Sequence, residues 1–184
     1  MGALIKRICL AFRSILLKLF GGGAVKFGKN QNIHPKAKIV VYNQGKVVFG
    51  NDVSVAQNCM VYADENAELV LEDNTSLSRG VQLYCREKIV VGAGTMIGNN
   101  TLVFDHDHDF RCPGGIRAGK YKSAPIIIGK NVWIGCNVTI LRGTNIGDNC
   151  VVGAGTVLKG SFSDNSLIYE KRDVQAKRYV IENI

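Results

Sequence analysis

Two of the three histidines in this 184-residue chain stand two apart in the run Phe104-Asp105-His106-Asp107-His108-Asp109-Phe110. In an extended segment side chains alternate, so His106 and His108 point one way and Asp105, Asp107 and Asp109 the other. Two chemistries are open to such a set. An imidazole ionises near pH 6.5 and is mostly unprotonated at neutrality, so one of the pair can serve as a base oriented by its neighbours. Alternatively, two histidines at i and i+2 with flanking carboxylates make half of a zinc site, for which His34 lies about 70 residues away.

What holds such a run in place is a period elsewhere in the chain. Ile128, Ile134, Ile140, Ile146, Val152 and Leu158 recur every six residues, with Val132, Val138, Thr144, Cys150 and Thr156 four places after the first five. Glycine follows the aliphatic residue at 129, 135, 147 and 153. A helix cannot use this ruler, because six residues turn about 600° and the phase is lost, while each interior glycine costs about 1 kcal/mol. A solenoid can: each hexad makes a short strand and a corner, three hexads close a triangular coil, and the aliphatic residue points into the prism. Gly or Asn then takes the turn conformations. The ruler recurs at Leu71, Leu77 and Leu83 and at Val91, Ile97 and Val103, and more loosely through Ile33, Ile39, Val53 and Cys59.

Between Val103 and Ile128 the hexads stop, so residues 104–125 leave the prism as an exposed loop, and the histidine run opens it. With that excursion removed, about 105 residues remain, or roughly six coils of 18.

Composition agrees with one folded, β-rich unit: 46% of residues are apolar, 21% are charged and 21 residues are glycine. Lys and Arg number 23 against 15 Asp and Glu, a net charge of +8, which favours an anionic partner. Cys9, Cys59, Cys85, Cys112, Cys136 and Cys150 form no C-x-x-C pair and read as free, mostly buried thiols of a reducing cytoplasm. Scattered basic residues without a recognition motif argue against nucleic-acid binding. In residues 1–23, Lys6, Arg7, Arg13, Ser14 and Lys18 share one arc of a helix and Leu4, Ile5, Ile8, Phe12, Ile15, Leu16 and Phe20 the other. This basic amphipathic helix, ended by Gly21-Gly22-Gly23, suits either packing on protein or lying on an anionic membrane surface, and it is too often interrupted by charge to span one.

The unbroken hexads of 128–158, within a pattern covering about residues 33–165, resemble the hexapeptide-repeat acyltransferases. That resemblance implies an all-β, left-handed parallel β-helix, since the handedness comes from the family and not from periodicity. The loop resembles that of the galactoside, maltose and polysaccharide O-acetyltransferase branch. There a histidine opening an H-x-H-like stretch takes the proton of the acceptor hydroxyl, which assigns the base to His106 with His108 in reserve. Val132-Trp133-Ile134-Gly135-Cys136-Asn137 and Gly153-Ala154-Gly155-Thr156 resemble the W-I-G-x and G-A-G-[ST] stretches of the family, whose small corners admit the pantetheine arm of acetyl-CoA. Gly135, Cys136, Ala154 and Gly155 are thereby donor-site candidates, with Trp133 near the acyl end and Lys159 near the phosphates. Small corners are also demanded by the fold itself.

The match has limits. After Asn165-Ser166 the chain loses the Gly and Pro of the family's N-S-x-x-x-G-x-P-A run, which turns attention to Lys171 or Arg172 for the CoA nucleotide. Where the sugar acetyltransferases have an asparagine one coil before the histidine, this chain has Ser78-Arg79-Gly80, which argues against a simple monosaccharide acceptor.

The expectation is therefore an amphipathic helix and glycine joint (1–23), a β-helix domain (24–165) with a catalytic loop (104–125), and a C-terminal extension (166–184). The resemblance implies an acetyl-CoA-dependent O-acetyltransferase acting on a sugar or polysaccharide hydroxyl, without a metal, as a cytoplasmic homotrimer that can sit at the membrane. Its rivals are N-acetylation of an amino sugar and a non-catalytic β-solenoid of capsule assembly.

Overall fold

A computed structural model describes residues 25–171 and 176–177. The amphipathic helix expected in residues 1–23 lies outside the described residues, as does Arg172. Among the described residues no helix is long and apolar enough to cross a membrane.

The chain winds into a three-sided parallel β-solenoid. The first sheet stacks Val25–Phe27, Lys46–Phe49, Glu68–Leu71, Lys88–Val91, Ile126–Ile128, Asn145–Ile146 and Ser161–Phe162. The second sheet also has seven strands, from Asn32–Ile33 to Leu167–Ile168, and the third has six, from Lys38–Val41 to Val157–Leu158. Every pairing within these sheets is parallel, as between Ile97 and Ile134 or between Val103 and Ile140. Six complete coils result, and the first two strands of a seventh. Leu167–Ile168, in the segment expected to be a C-terminal extension, is thus another rung of the second sheet.

The ruler is the core. Ile128, Ile134, Ile140, Ile146, Val152 and Leu158 are all sealed inside, as are Leu71, Leu77, Leu83, Val91, Ile97 and Val103. The residues four places on fill the corners: Val132, Val138, Thr144, Cys150 and Thr156 are buried too. Two corner threonines, Thr95 and Thr101, bind adjacent coils; Thr101 Oγ1 donates to Gly135 O at 3.0 Å and accepts from Val138 N. Without those bonds a buried hydroxyl would cost about 1–3 kcal/mol.

Two details differ from the sequence reading. The early coils are longer: Val25 pairs with Val47 and Val47 with Leu69, each 22 residues on, because the strands beside the corner between the third and first sheets grow to four residues. The inward positions of the second coil are Phe49, Val55 and Val61, while Val53 and Cys59 are buried corner residues. The glycines at 129, 135, 147 and 153 also do not make the left-handed turns. Asn131, Asn137 and Asn149 (φ 54°, 55° and 57°) do, together with Gly155 at φ 72°. Gly135 is needed for close approach, because a Cβ there would stand 2.7 Å from Ala154 N in the next coil.

The excursion leaves the third sheet after Phe104 and re-enters the first at Ile126. It is a two-stranded antiparallel arm in which His106–His108 pairs with Tyr121–Ser123, bridged by a 3-10 turn at Gly115–Ala118. Tyr42, Tyr62, Tyr84 and Phe104 stack at 5.2–5.5 Å along the outer face of the third sheet and end beneath this arm.

Candidate functional site

Val103 points inward and Phe104 outward, so the alternation of a strand carries Asp105 inward, against the core. A carboxylate there would be costly without partners. The coil below supplies them. Its turn from the third to the first sheet is only Arg86-Glu87, and it presents three consecutive amides. Arg86 N donates to both carboxylate oxygens at 2.8 and 3.0 Å, Glu87 N donates at 2.8 Å and Lys88 N at 2.9 Å. The Cys85 thiol is a fourth donor, at 3.4 Å. Burial first, and then the neighbouring Asp105 charge, push that thiol far above its ordinary range, which keeps it a donor.

Asp105 Oδ1 also lies 3.0 Å from His106 Nδ1. A carboxylate ringed by N–H donors can only accept, so Nδ1 carries the hydrogen and Nε2 is left with the lone pair a base needs. Alternation had Asp105 pointing away from both histidines. It does point inward, but the bend at residue 105, between the strand that ends at Phe104 and the arm that begins at His106, lets the carboxylate reach the ring beside it. Asp107 and Asp109 do turn away, to Arg142 Nε and to Lys122 Nζ. For Asp109, burial alone would push the carboxyl's pKa up. Lys122 and the Arg111 amide outweigh it and hold the group below its usual range.

His106 is held edge-on between Phe104 and Tyr121, with its side chain 15% exposed. His108 is exposed, its ring 4.5 Å from that of Tyr121. The Arg86 guanidinium also lies over Tyr121, 3.5 Å from the ring centre, and is paired with Asp64 at 2.8 Å. Asp105, Arg86 and Tyr121 were not singled out as site residues in the sequence. Only Asp105 left a signal there, as an acidic residue in an inward register position.

Gly135, Cys136, Ala154 and Gly155 converge at the corner between the second and third sheets, on two successive coils, where Gly155 N donates to Cys136 O at 2.8 Å. Cys136 and Ala154 are exposed, and their N–H groups meet no acceptor among the described residues. Small, open and donor-bearing, this corner fits the amide-rich arm of a pantetheine. Trp133, 57% exposed, stands on the adjoining second sheet beside Met96 and Val151. Lys159 is exposed at a different corner, between the third and first sheets, so the chain does not bring it to Gly155. Nor does one chain bring His106 to Cys136. The arm leaves one edge of the third sheet and the small corner lies along the other, a strand of three residues and its flanks apart, at about 3.3 Å per residue. Among the described residues no three His, Cys, Asp or Glu side chains converge as a metal site requires.

Residues 125–159 match the model of the hexapeptide repeat of succinyl-transferase. The chain is 30% identical over 138 residues to WbbJ of Escherichia coli (strain K12), a protein named for lipopolysaccharide-biosynthesis O-acetyl transfer, covering 70% of this chain and 69% of that one. It is 31% identical over 121 residues to the galactoside O-acetyltransferase of the same organism, covering 64% of this chain but only 49% of the relative. Among solved structures, AntD, an N-acyltransferase from Bacillus cereus in complex with dTDP and 3-hydroxybutyryl-CoA, superposes with a TM-score of 0.59 at 26% identity, over 80% of this chain and 79% of the other.

Proposed function

The chain belongs to the hexapeptide-repeat acyltransferase family, and from that premise we propose that it transfers an acetyl group from acetyl-CoA to a sugar hydroxyl during assembly of a surface polysaccharide. The observation that carries this reading is the Asp105–His106 pair, a histidine at the mouth of the arm whose Nδ1 is committed to a buried carboxylate. His106 Nε2 takes the proton of the acceptor hydroxyl as its oxygen attacks the thioester carbonyl. The carbon–sulfur bond breaks, and the histidine returns the proton to the departing thiolate, so that CoA leaves as a thiol and the sugar as an ester. Amides at the small corner hold the pantetheine and stabilise charge on the carbonyl oxygen. Direct transfer needs no acyl-enzyme.

Because His106 and the Gly135–Cys136 corner flank opposite edges of the third sheet, the reading requires two copies. The arm of one chain meets the small corner of its neighbour, and closed cyclic symmetry repeats the contact in a homotrimer. On that arrangement Lys159 serves a donor held mainly by the neighbouring chain. The likeness to a solved N-acyltransferase supports a second reading, transfer to an amino sugar, by the same base and donor. Acetyl-CoA consumption on a panel of sugar acceptors, run beside His106→Ala, tests the first reading. Mild alkali, which removes an ester and leaves an amide, separates it from the second.

A further inference from the structure

The corner between the second and third sheets continues below the donor candidates as a groove of about 670 Å³, on the first four coils. Asn32, His34, Gln57, Ser78, Arg79 and Asn99 supply most of its polar lining, and among the described residues no carboxylate lines it. Among the described residues Arg79 is its one permanent cation. The guanidinium is held by a neutral group, since Gln57, with its amide oxygen turned towards it, accepts from Nε at 3.0 Å and from Nη2 at 3.3 Å. No carboxylate pairs with Arg79 among the described residues.

The backbone makes the same distinction. Every coil turns from the first to the second sheet with an N–H pointing outward, and there the chain caps most of these donors with its own acids. Asn51 N donates to Asp73, Ala93 N to Glu72, Lys130 N to Asp148 and Asp148 N to Asp164, at 2.6–3.0 Å. At the corner between the second and third sheets the corresponding N–H groups of Gln57, Arg79 and Asn99 meet no acceptor among the described residues. One edge of the prism is thus neutralised by carboxylates. The other is left with open donors and a cation, in line with the donor corner above it.

We infer that this lower groove receives the acceptor, and that the acceptor carries a negative group, a carboxylate or a phosphate, which Arg79 and the open amides bind. The inference rests on the acyl-transfer reading and extends it. In the two-chain arrangement the His106 arm, leaving between the fourth and fifth coils, faces a neighbour's corner with the donor residues above it and this groove below. Anion recognition by a guanidinium is bidentate and charge-assisted, whereas a neutral sugar would leave Arg79 facing only an amide.

The test titrates the full-length protein with three defined probes: a galacturonic acid trisaccharide, galactose 1-phosphate and a neutral galactose trisaccharide. One of the anionic probes should bind at least about tenfold more tightly than the neutral one, and which of the two does so identifies the group. Arg79→Gln should abolish that preference, Arg79→Lys should keep part of it, and acetyl-CoA should bind both variants within about twofold of the parent protein. Equal binding of neutral and anionic probes overturns the inference, as does a preference that survives Arg79→Gln. Weakened acetyl-CoA binding in Arg79→Gln also overturns it, because Arg79 would then serve the donor's phosphates. A protein that binds and consumes acetyl-CoA without anion preference fails the inference alone. One that prefers the anion but never binds acetyl-CoA fails the acyl-transfer reading alone.

Discussion

Asp105 and His106 are consecutive residues, yet one is sealed in the core and the other reaches the surface, and a 3.0 Å contact joins them. The break in the hexad ruler makes this possible. Residue 105 keeps the inward register of the third sheet, and residue 106 begins the arm that leaves it. The histidine is therefore anchored to the rigid part of the molecule, at the base of a loop otherwise built for exposure.

On the proposed reading, removing the His106 imidazole removes the base. His106→Ala should lower kcat by about 10²–10⁴-fold while acetyl-CoA still binds, because the donor corner belongs to a different edge of the prism. His108→Ala should cost less than tenfold, since its ring rests on Tyr121 and has no carboxylate behind it. Steady-state rates together with equilibrium binding of acetyl-CoA check both. Full rate in His106→Ala with a dead His108→Ala would exchange their roles.

Asp105→Asn keeps the shape and loses the charge. Its amide would turn a donor towards N–H groups that now bind a carboxylate, and nothing would hold the hydrogen on His106 Nδ1. We expect kcat to fall by about 10²–10⁴-fold and stability by about 1–3 kcal/mol, whereas His106→Ala should leave stability nearly unchanged. Denaturant melts of the two variants separate the buried anchor from the imidazole it holds.

Cys85 predicts a pH dependence. Its thiol is pushed up by burial and by Asp105, while in the unfolded chain it ionises near 9. Above that pH the native state keeps a proton that the unfolded state has lost. The stabilisation is complete below pH 9 and declines as pH rises past it, at about 1.4 kcal/mol per pH unit. Cys59, raised mainly by burial, adds in the same direction. Cys85→Ala should flatten the decline in melts between pH 8 and pH 10.5. Cys85→Ser should retain more activity than Cys85→Ala, because a hydroxyl can still donate to Asp105.

The repeats, the inward aliphatic rungs and the small corners were legible because one period controls them all, from Ile128 to Leu158. The early coils were less so. Widening the third-to-first corner from Val41 to Lys46 shifts the count by four residues, and in a chain of small apolar residues Val53 and Cys59 then pass for rungs when they are corner fillers. His106 stood out in the sequence by its place at the break in the ruler. Arg86 did not, because its contact with Tyr121 joins residues 35 positions apart and depends on how the arm folds back over the coil below. Arg79 was noted in the sequence only as a departure from an asparagine, and its surroundings became visible only when Gln57 and Asn99 lined up on neighbouring coils.

At the proposed donor corner, the needs of the scaffold and of the site can be separated. A Cβ on Gly135 would stand 2.7 Å from Ala154 N and 2.9 Å from Ala154 Cα, both backbone atoms of the next coil, so Gly135→Ala must push two coils apart. It should destabilise the protein by about 1–3 kcal/mol whether or not CoA is bound there. Cys136 is exposed on the same turn. Alkylating Cys136 with iodoacetamide should therefore leave the thermal midpoint nearly unchanged, yet block acetyl-CoA binding and be slowed by acetyl-CoA. Cys59, Cys85 and Cys150, all buried, should not react until the chain unfolds. Modification of Cys136 with no effect on acetyl-CoA affinity would place the donor elsewhere and leave Gly135 and Gly155 as residues that the fold alone requires.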